Sequence, residues 1–169
     1  RSIANNLIDS VTCIVDDVEK LAKDPDLELN LALNGNDELT QISKAINQMM
    51  SERMKSKRAL HQASAVFSHS AEGIMVTDAN NCIELVNPAF TKITGYNLED
   101  VKGKKPSILS SGHHTPEFYQ QLWQSLSENS SWEGEIWNQR KDGQIYPEYL
   151  KITAVKNSHN ETIQHIGLF

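Results

Sequence analysis

The residues from Gly73 to Tyr96, GIMVTDANNCIELVNPAFTKITGY, leave few folds open to this chain. Ile74, Val76 and Asp78 fall on one side of an extended run and Met75 and Thr77 on the other, the two-residue period of a half-buried strand. Asn80-Asn81 supplies turn chemistry, because asparagine tolerates left-handed backbone angles. Cys82 to Val86 reads as a second strand. Asn87-Pro88 then starts a short helix, with asparagine as N-cap and proline at the first helical position, and Gly95 stops it. A hairpin followed at once by a capped helix is the nucleus of an antiparallel α+β domain.

The remaining elements continue in that style. Leu98 to Val101 reads as a helical turn ended by Gly103, and Pro106 to His114 as a loop rich in serine, glycine and histidine. Thr115-Pro116-Glu117 restarts a helix, on which Phe118, Leu122 and Leu126 recur at four-residue steps with Trp123 beside them. Trp132 to Arg140, Gln144 to Lys156 and Thr162 to Phe169 read as three further strands, the first pair joined through Lys141-Asp142-Gly143. Five antiparallel strands with helices between the second and third are expected.

Before this domain the pattern changes. Ala4, Leu7, Val11, Ile14, Val18 and Leu21 recur at alternating steps of three and four, a seam for packing helix on helix. Asp24-Pro25-Asp26 ends that run, and Leu27, Leu29, Leu31 and Leu33 alternate along an extended connector. A second helix is expected from Asp37-Glu38, with Leu39, Ile42, Ile46 and Met49 as its seam. It continues through Met50 to Ser70 without a proline or glycine, as a rod whose apolar stripe slips in phase. Arg53, Lys55, Lys57 and Arg58 read as a solvated basic face.

With 38% hydrophobic and 22% charged residues the chain is of globular composition, and a net charge of −6 argues against a broad nucleic-acid surface. No run of 18 apolar residues occurs, so no membrane span is expected within it, nor is a signal peptide. The chain opens at Arg1 without methionine and closes within a strand-like run, and is expected to be part of a longer protein. Cys13 and Cys82 read as reduced structural thiols, since neither sits in metal-ligand spacing.

The segments EGIMVTD, NCIELVNPAFTKITGY, EDVKGK, PSILSSG, WEGEIWNQRKDG and YPEYLKITAV, in that order, resemble a PAS domain, a sensor module of bacterial signalling proteins. The segment NDELTQISKAINQMM, following a helix and a leucine-rich connector, resembles the second helix of a HAMP domain, although Pro25 stands where that family usually has glycine. The two resemblances imply an α+β organisation: a HAMP-like helical relay and outgoing helix over residues 1–58, forming a parallel four-helix bundle as a homodimer, and a PAS sensor over 59–169. They further imply a receptor anchored through N-terminal membrane segments, lying on the cytoplasmic side of the inner membrane. Its C-terminal effector would be a cyclic-di-GMP cyclase or phosphodiesterase, or else a histidine kinase. A ligand-free scaffold that only dimerises and spaces the chain is the alternative.

PSILSSG, Leu122-Trp123 and the spacing from Trp132 to Asn138 also resemble flavin-binding PAS domains of redox sensors. That resemblance implies FAD as cofactor, with Trp123 walling the ring and Asn138 meeting its polar edge. Pro106 stands where some redox-active members carry an acid, and another small ligand or a purely structural pocket remains open. Haem is not expected: His113 and His114 lie in a polar loop, and the helix after Pro116 offers no imidazole. Asp37-Glu38, Glu99-Asp100 and Glu133/Glu135 read as helix starts or an exposed strand face. With no nucleophile elbow or phosphate-binding loop, no enzymatic activity is expected.

Overall fold

The computed structural model describes residues 38–169, preceded by the helical positions Thr12, Val15, Asp16, Glu19, Lys20 and Lys23. The seam from Ala4 to Leu21, the leucine connector and Cys13 lie outside the described residues. The chain divides into two compact units, Arg1–Gln62 and Ala63–Phe169.

Helix α1 spans Glu38–His69 without a break, as its lack of proline and glycine requires. Gln48 Nε2 donates to Glu52 Oε1 one turn on, at 3.0 Å. Of the expected seam, Ile42 and Met49 are exposed, whereas Thr40 and Ser43 are buried. Among the described residues no helix is long and apolar enough to cross a membrane.

Beyond α1 lie β1 (Ile74–Asp78), β2 (Ile83–Val86), α2 (Pro88–Thr94), α3 (Leu98–Val101), a 3₁₀ turn (Pro106–Leu109), α4 (Pro116–Asn129), β3 (Ser131–Gln139), β4 (Ile145–Lys156) and β5 (Thr162–Leu168). The strands form one antiparallel sheet in the order β2-β1-β5-β4-β3, so the last strand lies between the first hairpin and the second. Asn81 takes φ 62° in the first turn and Gly143 φ 92° in the second. Met75 and Thr77 face inward from β1, as the alternation required.

Helix α2 is capped at both ends as expected: Asn87 Oδ1 accepts from the Phe90 amide, and Gly95 closes the helix at φ 77°. Asn97 and Asp100 form a reciprocal capping box at α3, which accounts for the Glu99-Asp100 pair. Thr115 occupies the N-cap of α4 beside the expected Pro116, but its side chain makes no cap hydrogen bond, which corrects the clean cap read from Thr-Pro. The expected loop after Pro106 is also corrected in part, since four of its residues close a 3₁₀ turn.

One core cluster joins Met75, Ile83, Phe90, Val101 and Leu109, and fixes α2, α3 and the 3₁₀ turn against β1 and β2. Further along the same face of the sheet, Leu122 and Leu126 of α4 are buried together with Ile136 and Leu150. Between these two packed zones the face is left open to a cavity.

Candidate functional site

The cavity has a volume of about 490 Å³, within the ordinary range for small-ligand sites. Its walls come from β1, the 3₁₀ turn, α4, β3, β4 and β5, and most of them are apolar: Met75, Leu109, Leu122, Ile136, Leu150 and Ile152. Each strand contributes only the residues of its inward parity, a direct consequence of the two-residue period.

Both sequence-derived site residues line it. Trp123, on α4, is 41% exposed, so its indole forms part of the rim. The His165 ring of β5 stands edge-on to it, with centroids 5.6 Å apart. His165 Nδ1 in turn lies 3.5 Å from the buried Thr77 hydroxyl. Asn138, on β3, is buried, and its amide Nδ2 donates to Glu148 Oε1 at 2.7 Å, a length typical of a charge-assisted bond. The other carboxyl oxygen, Glu148 Oε2, is fully buried and has no hydrogen-bond partner. Burial pushes the Glu148 carboxyl above the usual carboxylate range, against the opposing effects of the Tyr146 hydroxyl, the Asn138 amide and the Arg140 charge. Tyr146 is likewise pushed up, first by burial and then by the charge and hydrogen bonding of Glu148, with Arg140 opposing.

Glu148, His165 and Tyr119 were not singled out from sequence. The signal for Glu148 was present: in IYPEYLKI the inward parity is carried by Tyr146 and Leu150, and a charged residue between two buried positions of one strand is unusual. His113 and His114, set aside as a polar pair, do not line the cavity. His114 is not a solvated loop residue, however. Its ring stacks on Phe118 at 3.9 Å, and its Nε2 accepts from the Trp137 backbone N–H at 2.9 Å.

That contact ties the loop after the 3₁₀ turn to β3, along with the Ser111 hydroxyl on the Trp137 carbonyl (2.5 Å) and a backbone bridge between Ser110 and Asn138. The accepting Nε2 must be unprotonated. Burial first, then the neighbouring His113, hold the His114 imidazole below its ordinary value, with Glu135 opposing. Folding therefore favours the neutral ring, and the associated stability is fully present above the unfolded value of about 6.5. It is lost as pH falls from there through the lower folded value. A proton-detected NMR titration is expected to place His114 below its free-histidine value, and His114→Gln to remove this part of the acid sensitivity of Tm. A folded value above that of free histidine would contradict the arrangement.

A five-stranded antiparallel sheet with its helices and a small-molecule cavity on one face defines a small sensor fold. A PAS domain family model matches residues 71–169, more than half of the chain, and the chain belongs to that family. It is similar to the nitrogen fixation regulatory protein of Klebsiella oxytoca, 37% identical over 95 residues, which cover 56% of this chain and 19% of that protein. The chain thus spans about a fifth of that relative's length. Among solved structures, the PAS domain of a Colwellia psychrerythraea protein superposes with a TM-score of 0.61 at 22% identity, covering 65% of this chain and 93% of that one. The LOV domain of a blue-light activated histidine kinase from Erythrobacter litoralis superposes with a TM-score of 0.54 at 20% identity, covering 59% and 94%. At these identities the structures share the fold alone.

Proposed function

We propose that this PAS domain is a ligand-dependent signalling switch whose cavity takes a flavin, with FAD as the nucleotide form. The observation that carries the reading is the cavity itself. It pairs an apolar interior with a rim tryptophan and, on the opposite wall, an Asn138–Glu148 pair that has hydrogen-bonding capacity to spare. Apolar walls suit the faces of a planar ring, Trp123 would wall one edge, and Asn138 would meet the ring's polar edge. Bound there, the flavin would supply visible absorption and reversible electron uptake. Among the described residues no cysteine lines the cavity. The test is whether the purified chain carries or takes up flavin.

The signal leaves the cavity through Phe169. Phe169 lines it, packs its ring against Phe90 with centroids 5.8 Å apart, and exchanges both backbone hydrogen bonds with Gly73, at 2.6 and 3.0 Å. A Cβ on Gly73 would come within 2.5 Å of the Phe169 ring, so only glycine fits this contact. Gly73 follows α1 by four residues, so a displacement at the cavity wall reaches the end of that helix directly.

In this reading residues 1–58 are a HAMP-type relay that pairs with a second copy in a parallel four-helix bundle. The exposed Ile42 and Met49 of its expected seam favour a helical partner. The chain works by binding and relay, not catalysis, as the cytoplasmic part of a membrane receptor. Its effector, in a longer protein, is a cyclic-di-GMP cyclase or phosphodiesterase, with a histidine kinase second.

A further inference from the structure

Strand β3 is the last in the sheet and is paired on one side, by β4. Proteins cover such an edge, because its unpaired backbone groups invite other chains. The cover here is the short loop of residues 110–114. Trp137 faces Pro147 across the ladder, and proline has no N–H to exchange. Both backbone groups of Trp137 are therefore turned to the open edge. There the N–H donates to His114 Nε2 at 2.9 Å, and the carbonyl accepts from the Ser111 hydroxyl. A bridge between Ser110 and Asn138 continues the cover. The Ser110 hydroxyl also stands 3.2 Å from that of Tyr119, and Ser110, Tyr119 and Asn138 all line the cavity. One loop thus closes a sheet edge and part of the cavity wall.

His114 is the tie that a proton breaks. The Trp137 N–H can only donate, so Nε2 must accept, and an imidazolium has no acceptor to offer. Phe118 stacks on the ring at 3.9 Å and fixes its plane against the strand. We infer that residues 110–114 form an acid-released strap, giving this domain a second input, the proton, read at His114 and passed to the cavity wall through Ser110 and Tyr119. This input does not depend on what the cavity binds. Around the ring, His113 precedes it with centroids 5.4 Å apart, Tyr119 of α4 stands edge-on at 6.2 Å, and Glu135 of β3 contributes an opposite charge. Glu117, in the first turn of α4, is engaged with its own backbone and the Thr115 hydroxyl. Burial and His113 outweigh Glu135, so the strapped ring is held neutral. The released ring titrates near the ordinary value of about 6.5 and the strapped ring below it. The strap is therefore at full strength above about 6.5, weakens as pH falls from there, and reaches its weakest at the lower strapped value.

The test is amide hydrogen exchange of the whole chain, read by NMR from pH 7.5 to pH 4 and corrected for the intrinsic exchange rate. Protection of the Trp137 amide is expected to fall about tenfold for each pH unit between about 6.5 and the strapped value, then to level off. Amides of β5, which is paired on both sides, should hold their protection over the same range. The His114 ring nitrogens, observed in the same samples, should titrate where the Trp137 protection levels off. His114→Gln supplies a carboxamide oxygen in place of Nε2 and is expected to give a flat profile, whereas His114→Ala should leave Trp137 weakly protected at every pH. His113→Asn keeps the response and moves it slightly upward, and serves as the second variant should the substitutions at His114 fold poorly. Protection of Trp137 that is independent of pH, that falls in parallel with β5, or that loses its response in His113→Asn overturns the inference.

Discussion

Asn87→Ala is expected to destabilise the sensor domain by about 3 kcal/mol, combining the loss of an N-cap with orphaned buried backbone groups. Asn87 is 1% exposed, and its side chain serves four partners. Oδ1 accepts from the amides of Ile74 and Phe90, both at 2.9 Å, and Nδ2 donates to the carbonyls of Glu72 and Phe67, at 2.9 and 3.2 Å. One amide thus joins the end of α1, the start of β1 and the first turn of α2. Alanine removes all four bonds at a point that water does not reach. For a domain of this size the loss corresponds to a fall in Tm of roughly 12–20 °C. Asn87→Asp keeps the acceptor but places a negative charge against two carbonyls, and is expected to lose a similar amount. A drop below about 1 kcal/mol in Asn87→Ala would mean that the junction is not pinned by this side chain.

Asn138→Ala is expected to weaken flavin binding about 30-fold, or about 2 kcal/mol, with little change in fold. The amide has two tasks in this account. It holds Glu148 Oε1 at 2.7 Å and keeps a second hydrogen for the ligand carbonyl. Without it Glu148 Oε1 loses its hydrogen-bond donor and the ligand carbonyl loses its own. The backbone bridge to Ser110 and the β3–β4 pairing do not depend on the side chain, so Tm is expected to move far less than in Asn87→Ala. Equilibrium titration of wild type and variant at pH 8 reads this directly. Equal affinities would remove Asn138 from the binding site and return it to a purely structural role.

The elements legible from the chain were those whose chemistry is local. Asn80-Asn81 and Lys141-Asp142-Gly143 marked turns because few residues accept positive φ, and Asn87-Pro88 with Gly95 marked α2 because each residue does one end's work. The inward parity of Met75 and Thr77 followed from alternation alone. The sheet order did not: β1 pairs with β5 across some ninety residues, and no local pattern encodes which edge the last strand chooses. Trp123 and Asn138 were named through resemblance, and both line the cavity. Glu148 was passed over because a glutamate in a strand is ordinarily read as exposed. Only its neighbours Asn138 and Tyr146 reveal that its carboxyl is enclosed. Thr115 shows the opposite case, a good capping sequence whose hydroxyl does not cap.

The central claim is that the cavity holds a flavin, and the absorption spectrum of the freshly purified protein between 300 and 600 nm tests it most directly. Paired bands at roughly 370 and 450 nm, appearing either at once or after incubation with FAD, are the predicted result. In that case Trp123→Ala and Asn138→Ala should reduce the bound fraction. A spectrum without those bands before and after incubation would contradict the claim, and would leave a domain that relays force or binds a colourless ligand.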